Sequence, residues 1–279
     1  MEPLSILSPI IDAANAPSAE HLGDYMQDGL LYCGRCNTPK QSRQICVGHE
    51  LVVGCLCRCA VEARSREEAA RRQQEEADRI MRLRSSGIHS QEFRAARFSQ
   101  DDGQNPVPMM RLRQYVGCWE QSYQENIGLL LWGGVGTGKS FGAACVANAL
   151  IEKSIPVCMV NLAAVLNTLT GFQGDRNEYI RDLMQYPLLI LDDFGMERKT
   201  DFANEQIFSL IDERYRSGKP LIVTTNLTMT ELKNPASLEL YRCYDRISEM
   251  CVPVGFGSQG RRQKKAADKM QRAAEFLRG

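Results

Sequence analysis

"GLLLWGGVGTGKS" (residues 128–140) decides how the rest of this chain is read. Its first half belongs to a short apolar run, 127–132, of the kind that forms a strand buried on both faces. Its second half is Gly133, Gly134, Val135, Gly136, Thr137, Gly138, Lys139 and Ser140, which satisfies G-x-x-x-x-G-K-[ST] in full. A helical stretch, "FGAACVANALIEK", follows directly. Strand, glycine-rich loop and helix in that order are the setting a phosphate-binding loop needs; a chance glycine-rich loop lacks it. The glycines let the main chain wrap close to phosphates, with the amides of 134–140 pointing inward. The helix N-terminus adds partial positive charge. Lys139 is placed to reach the β- and γ-phosphates of ATP, and the Ser140 hydroxyl to ligate Mg2+. Phe141 completes the expected nucleotide-binding set.

Downstream, "LLILDD" (188–193) is an apolar run ending in two carboxylates. Asp192 is the candidate for the Mg2+ shell, and Asp193 for orienting or deprotonating the attacking water. The plainer alternative is an aspartate capping the next helix. Asp193 stands where related ATPases commonly carry glutamate, which points to slow hydrolysis; Glu197 is a nearby carboxylate that can contribute. The following strand ends in "IVTTN" (222–226), making Asn226 a sensor of the γ-phosphate or its water, with Thr225 second. The bland reading of Asn226 is a turn residue before "LTMTEL". Last, "LELYRCYDRISEM" (238–250) reads as an amphipathic helix with Leu240, Cys243, Tyr244, Ile247 and Cys251 on its apolar side. Arg242, Arg246 and Glu249 share another face, either as surface ion-pair partners or as fingers for a neighbouring subunit's nucleotide.

Working outward, short β-rich runs alternate with helical stretches from about residue 91, which predicts an α/β fold with a parallel sheet covered on both faces. Upstream, residues 61–84 lack proline and glycine and are dense in helix formers. Acid-first i,i+4 pairs (Glu62–Arg66, Glu67–Arg71, Glu68–Arg72, Glu75–Arg79, Asp78–Arg82) support an exposed helical linker. The organisation expected is therefore a small domain over 1–60, a charged helical linker over 61–90, a nucleotide-binding domain over 91–258 and a basic tail over 259–279. That tail suits a phosphate backbone or an acidic partner, or is simply a solvated helix.

The 279 residues balance 34 basic against 34 acidic side chains, so net charge alone indicates no nucleic-acid partner. Residues 1–21 lack a basic start and carry a proline within their apolar run, a poor signal peptide. With no run approaching a membrane helix either, the cytoplasm is expected, and the eleven cysteines are not read as a disulfide framework. "CGRC" (33–36) and "GCLCRC" (54–59) then have zinc-like spacing. Four of Cys33, Cys36, Cys55, Cys57 and Cys59 are expected to hold Zn2+, with Cys46 and His49 as outside candidates. Redox-active or merely buried thiols are the alternatives. Cys118, Cys145, Cys158, Cys243 and Cys251 read as small core residues.

Taken jointly, "GLLLWGGVGTGKS", "LLILDDFGMER", "DERYRSGKPLIVTTNL" and "YDRISEM" resemble, in order and spacing, the DnaC/IstB family of AAA+ ATPases over about residues 91–258. The resemblance implies a five-stranded parallel sheet of order 5-1-4-3-2 and ATP-dependent self-assembly on DNA. It also implies an arginine finger at Arg246, supported by Arg242. One branch of that family helps transposases choose target DNA. The other loads a hexameric replicative helicase onto single-stranded DNA and carries a small zinc-binding N-terminal domain that grips the helicase. The cysteine pattern favours the loader by analogy. Alternatives are an IstB-like transposition helper and a nucleotide-gated adaptor with little turnover. No membrane partner is expected.

Overall fold

The computed structural model describes residues 23–46, 48–171, 176–195, 200–235, 237–257, 269–270 and 272–274. Expectations for residues 1–22, for Glu197 and for most of the basic tail lie outside the described residues. The chain forms two units, 1–77 and 78–279.

In the first unit, β1 (Tyr25–Gln27) pairs antiparallel with β2 (Leu30–Tyr32), and β3 (Gln41–Cys46) with β4 (His49–Gly54). The β1–β2 turn is Asp28–Gly29, both with positive φ (52° and 72°), the geometry an Asp-Gly hairpin turn favours. Main-chain bonds from Lys40 N to Leu31 O (2.7 Å) and from Cys55 N to Lys40 O (2.7 Å) join the hairpins. The buried Lys40 side chain pairs with Asp24 at 2.5 Å, and the other Asp24 oxygen accepts from Gly34 N. Helix α1 (Arg58–Gly87) starts here. Its ion pairs include Arg58–Glu62, Arg64–Glu68 and Arg71–Glu75, with the base first rather than the acid. These side chains are exposed, and each pair contributes only about a few tenths of a kcal/mol.

In the second unit, the last turns of α1 lead to a short helix α2 (Gln91–Arg94), then α3 (Pro106–Gly117) and α4 (Trp119–Gln124). The sheet follows: β5 (Gly128–Gly133), β6 (Val157–Asn161), β7 (Leu188–Phe194), β8 (Leu221–Thr225) and β9 (Cys251–Phe256). Helices α5 (Lys139–Ile151), α6 (Leu162–Gly171), α7 (Arg176–Gln185), α8 (Asp201–Arg216), α9 (Met229–Lys233) and α10 (Leu238–Met250) connect these strands. The five strands are parallel, in the order β6-β7-β8-β5-β9. Counted from β5 as the first, that is the 5-1-4-3-2 order the resemblance implies. Each expected strand run forms a strand, because both sheet faces are covered and each can be apolar along its length. Leu129 and Leu131 face a core with α3, α4 and α5; Leu130 faces a second core with α6, α7, α8 and α10.

At the β6 edge, Ile88 forms a parallel bridge to Met159, and a Cβ on Gly87 would lie 1.9 Å from Val157 O. The end of α1 can approach that strand only because residue 87 is glycine. Arg84 and Arg97 both reach Glu152 at the end of α5 (3.1 and 2.9 Å). Of the cysteines expected in the core, Cys145, Cys158, Cys243 and Cys251 are buried, but Cys118 is exposed. It falls at the junction between α3 and α4, where neither helix turns it inward.

Arg214, fully buried on α8, collects loop carbonyls rather than a solvated partner. It donates to Tyr186 O (2.9 Å), Pro187 O (2.9 Å) and twice to Pro220 O (3.2 and 2.5 Å). These loops lead into β7 and β8, so the guanidinium fixes where two site strands begin. Arg214→Met leaves these carbonyls without donors at a cost of about 3 kcal/mol or more. A thermal melt should show the midpoint lowered by roughly 6–12 °C, at 2–4 °C per kcal/mol for a chain of this size.

Candidate nucleotide-binding site and thiol cluster

Gly133, Gly136 and Gly138 have φ of 139°, 75° and 101°, a region where other residues are strained. A Cβ at 133 would also lie 2.2 Å from Phe256 O on β9. The loop is held from within by Thr137 Oγ1 donating to Gly134 O (2.9 Å), and from outside by the buried Asn105, whose Nδ2 donates to Thr137 O (2.9 Å). Lys139 is buried at the start of α5. Its Nζ donates to Gly133 O (2.9 Å), Gly134 O (2.7 Å) and Asn226 Oδ1 (2.8 Å). Loop, lysine and Asn226 are thus brought together, with Asn226 just past the end of β8 beside β5.

The two acids diverge. The β7–β8 register shifts between Leu191 and Phe194, and Asp193 takes φ 58°. Asp192 is buried; its carboxyl accepts from Thr224 Oγ1 (2.6 Å) and hydrogen-bonds the Ser140 hydroxyl. Burial pushes the Asp192 carboxyl up and Asp193 adds to this, while Thr224, Ser140 and the Lys139 charge oppose it. Ser140 and Asp192, the expected Mg2+ pair, are therefore adjacent, and their oxygens suit a hard cation. Asp193 N donates to Thr224 Oγ1 (3.0 Å), and Asn161 Nδ2 reaches Asp193 Oδ2 at 3.4 Å.

A cleft of about 310 Å3 opens onto Val135, Gly136, Gly138, Lys139, Ser140, Phe141, Asp193 and Asn226. Its other wall is Glu92, Phe93, Gln100 and Asp102, which the motifs do not announce. Thr225 is turned away: it is fully buried, donating to Phe194 O (2.7 Å) and accepting from Leu227 N. Thr225, the second sensor candidate, therefore does not reach the cleft, while Thr224 bonds Asp192 and Asp193. Strand alternation was the available signal, because residues 224 and 226 share a face and 225 does not.

Arg242 and Arg246 do not line this cleft. Arg242 is exposed on α10. Arg246 pairs with Asp212 at 2.5 Å, and its guanidinium lies 4.7 Å from the Phe208 ring centre and 5.6 Å from that of Tyr215. Asp212 also pairs with Arg216 (2.9 Å).

In the first unit, the sulfurs of Cys33, Cys36, Cys57 and Cys59 all lie within 4.8 Å of one another. Cys33–Cys59 and Cys57–Cys59 are 3.5 and 3.3 Å apart. A tetrahedral Zn2+ with bonds of about 2.3 Å needs sulfur edges of about 3.8 Å, so the cluster fits with small adjustments. The Thr38 hydroxyl holds the Cys36 thiol down to about 5, and the Cys57 thiol pushes Cys59 up to about 12. Cys55 is the one of the five left out; its thiol turns to Pro39 O (3.5 Å). Cys46 and His49 face each other across the β3–β4 hairpin and are not in the cluster.

The sequence profile described as "IstB-like ATP binding protein" matches residues 58–266. The replicative helicase loader DnaI of Bacillus subtilis is 26% identical over 195 residues, covering 64% of this chain and 62% of that protein. Rv3427c of Mycobacterium tuberculosis, named as an ATP-binding protein in an insertion sequence, is 32% identical over 170 residues, 60% of this chain and 64% of that protein. The chain therefore spans less than two thirds of the length of either relative. A crystal structure of DnaI matches with a TM-score of 0.55 at 22% identity, over 64% of this chain and 99% of that one. That likeness concerns the fold.

The thiol geometry separates the five cysteines experimentally. Full-length Cys55→Ser should retain one equivalent of Zn2+ after dialysis, measured by atomic emission, whereas Cys59→Ser should lose it. Equal retention by both variants contradicts the four-thiol site.

Proposed function

The chain belongs to the family of IstB-like ATP-binding proteins, and from that premise we propose that it is an ATPase that loads a hexameric replicative helicase onto single-stranded DNA. The convergence of Cys33, Cys36, Cys57 and Cys59 carries this reading. Within the resembled family, a small zinc module belongs to the loaders. The similarity to a named helicase loader supports the same choice. On this reading 1–60 holds the helicase, 61–90 is the linker, 91–258 is the ATPase and 259–279 a basic tail, all working in the cytoplasm. No helix among the described residues is long and apolar enough to cross a membrane.

The loop amides and Lys139 would hold the triphosphate, and Ser140 with Asp192 would hold Mg2+. The metal would supply charge neutralisation across the β- and γ-phosphates. Asp193 would orient and deprotonate the attacking water, and Asn226, already on Lys139 Nζ, would meet the γ-phosphate. Aspartate is one methylene shorter than glutamate, which favours slow turnover and use of ATP as a switch. Arg246 would act on a neighbouring subunit's nucleotide only after leaving Asp212; Arg242 is exposed one turn away.

A second reading, a transposition helper, is favoured by the higher identity to the insertion-sequence protein. Immobilised host helicase should capture the native full-length chain. It should fail to capture the Cys33→Ser/Cys36→Ser variant, whose nucleotide binding stays intact. No capture of the native chain rejects the loader reading and leaves the helper. Asp193→Ala should lower turnover by about 10²–10⁴-fold, measured with and without single-stranded DNA. Equal rates in the native and variant proteins reject Asp193 as the base.

A further inference from the structure

Thr224 bonds both acids of β7 and is fully buried, and the motif reading assigns it no role. We propose that Thr224 is a positioning residue for the Mg2+ site, its single hydroxyl holding the Asp192 carboxylate and the Asp193 main chain at once. The inference rests on the ATP-binding reading of the cleft.

The direction of the two hydrogen bonds is set by chemistry. Asp193 N–H can only donate, so the Thr224 oxygen accepts there, at 3.0 Å. The one hydroxyl proton then goes to Asp192 Oδ1, at 2.6 Å. One oxygen of Asp192 is thereby tethered while the carboxyl remains next to Ser140. The tether also acts at the register shift, where Asp193 departs to φ 58°. A non-glycine residue persists in that region only when its surroundings hold it there. Thr224 thus fixes the split that sends one acid toward the cation and the other into the cleft. Groups that orient a metal ligand typically change metal affinity 10- to 100-fold when removed.

Thr224→Val keeps the shape and removes the hydroxyl; Thr224→Ser keeps the hydroxyl. Binding of a fluorescent ATP analogue to the full-length chain is measured as Mg2+ is raised from zero, alongside thermal melts. In Thr224→Val the Mg2+ concentration for half-maximal binding should rise about tenfold or more, with Mg2+-free binding unchanged; Thr224→Ser should stay within about twofold of native. An unchanged midpoint in Thr224→Val overturns the proposal. So does a loss of binding at every Mg2+ concentration, or a serine variant that behaves like valine. If the native chain binds no nucleotide, the ATP-binding reading falls instead.

Discussion

Between β5 and β8 the main chains come so close that a Cβ on Gly128 would lie 2.1 Å from Leu221 O. That contact admits only glycine at the start of β5 and supports the in-register pairing from Leu129↔Ile222 to Trp132↔Thr225. Because Trp132 is level with Thr225, the loop leaves β5 where Asn226 leaves β8, and Lys139 Nζ can bond both. On its other side β8 pairs with β7, setting Thr224 beside Asp192 and Asp193. Arg214 anchors the opposite ends of β7 and β8 through the loops that precede them. Groups distant in sequence therefore meet within hydrogen-bonding reach because parallel strands hold their ends level.

The parts of the site legible in the sequence are those whose chemistry is local. The loop needs its glycines, lysine and serine consecutively, and an apolar strand ending in carboxylates marks itself. The parallel sheet was legible in five short apolar runs separated by helical stretches, whereas its strand order came from the family resemblance. The far wall of the cleft was not, since Glu92, Phe93, Gln100 and Asp102 reach it through tertiary packing of irregular segments. Thr225 was named second to Asn226, but a strand alternates its faces and residue 225 turns away from the cleft.

The cysteines converge by a different geometry. Alternation would let any two of Cys55, Cys57 and Cys59 converge if all lay on one strand. Instead β4 ends at Gly54, and α1 begins at Arg58. Cys55 continues the ladder by donating its N–H to Lys40 O, Cys57 lies in the connection, and Cys59 sits in the first turn of the helix. The change of backbone geometry brings Cys57 and Cys59 onto Cys33 and Cys36 and leaves Cys55 at the rim. The same unit buries Lys40 against Asp24, an arrangement whose desolvation cost offsets much of its attraction. With two short hairpins and few large apolar side chains among its described residues, such a unit gains little from its core, and a metal at the four thiols would be an effective source of stability.

The Arg246 contacts bear on how a nucleotide site would be controlled if subunits of the chain assembled as proposed. Its guanidinium is held by a carboxylate and two aromatic rings, while Asp212 keeps a second partner in Arg216. Release of Arg246 would therefore leave Asp212 still paired, which lowers the cost of moving the side chain out. A triphosphate presented by a neighbour would offer more negative charge than one carboxylate. On the loader reading, Arg246 would exchange one anion for a stronger one only when a subunit with bound nucleotide arrives, so assembly and hydrolysis would be coupled through competition for the same guanidinium.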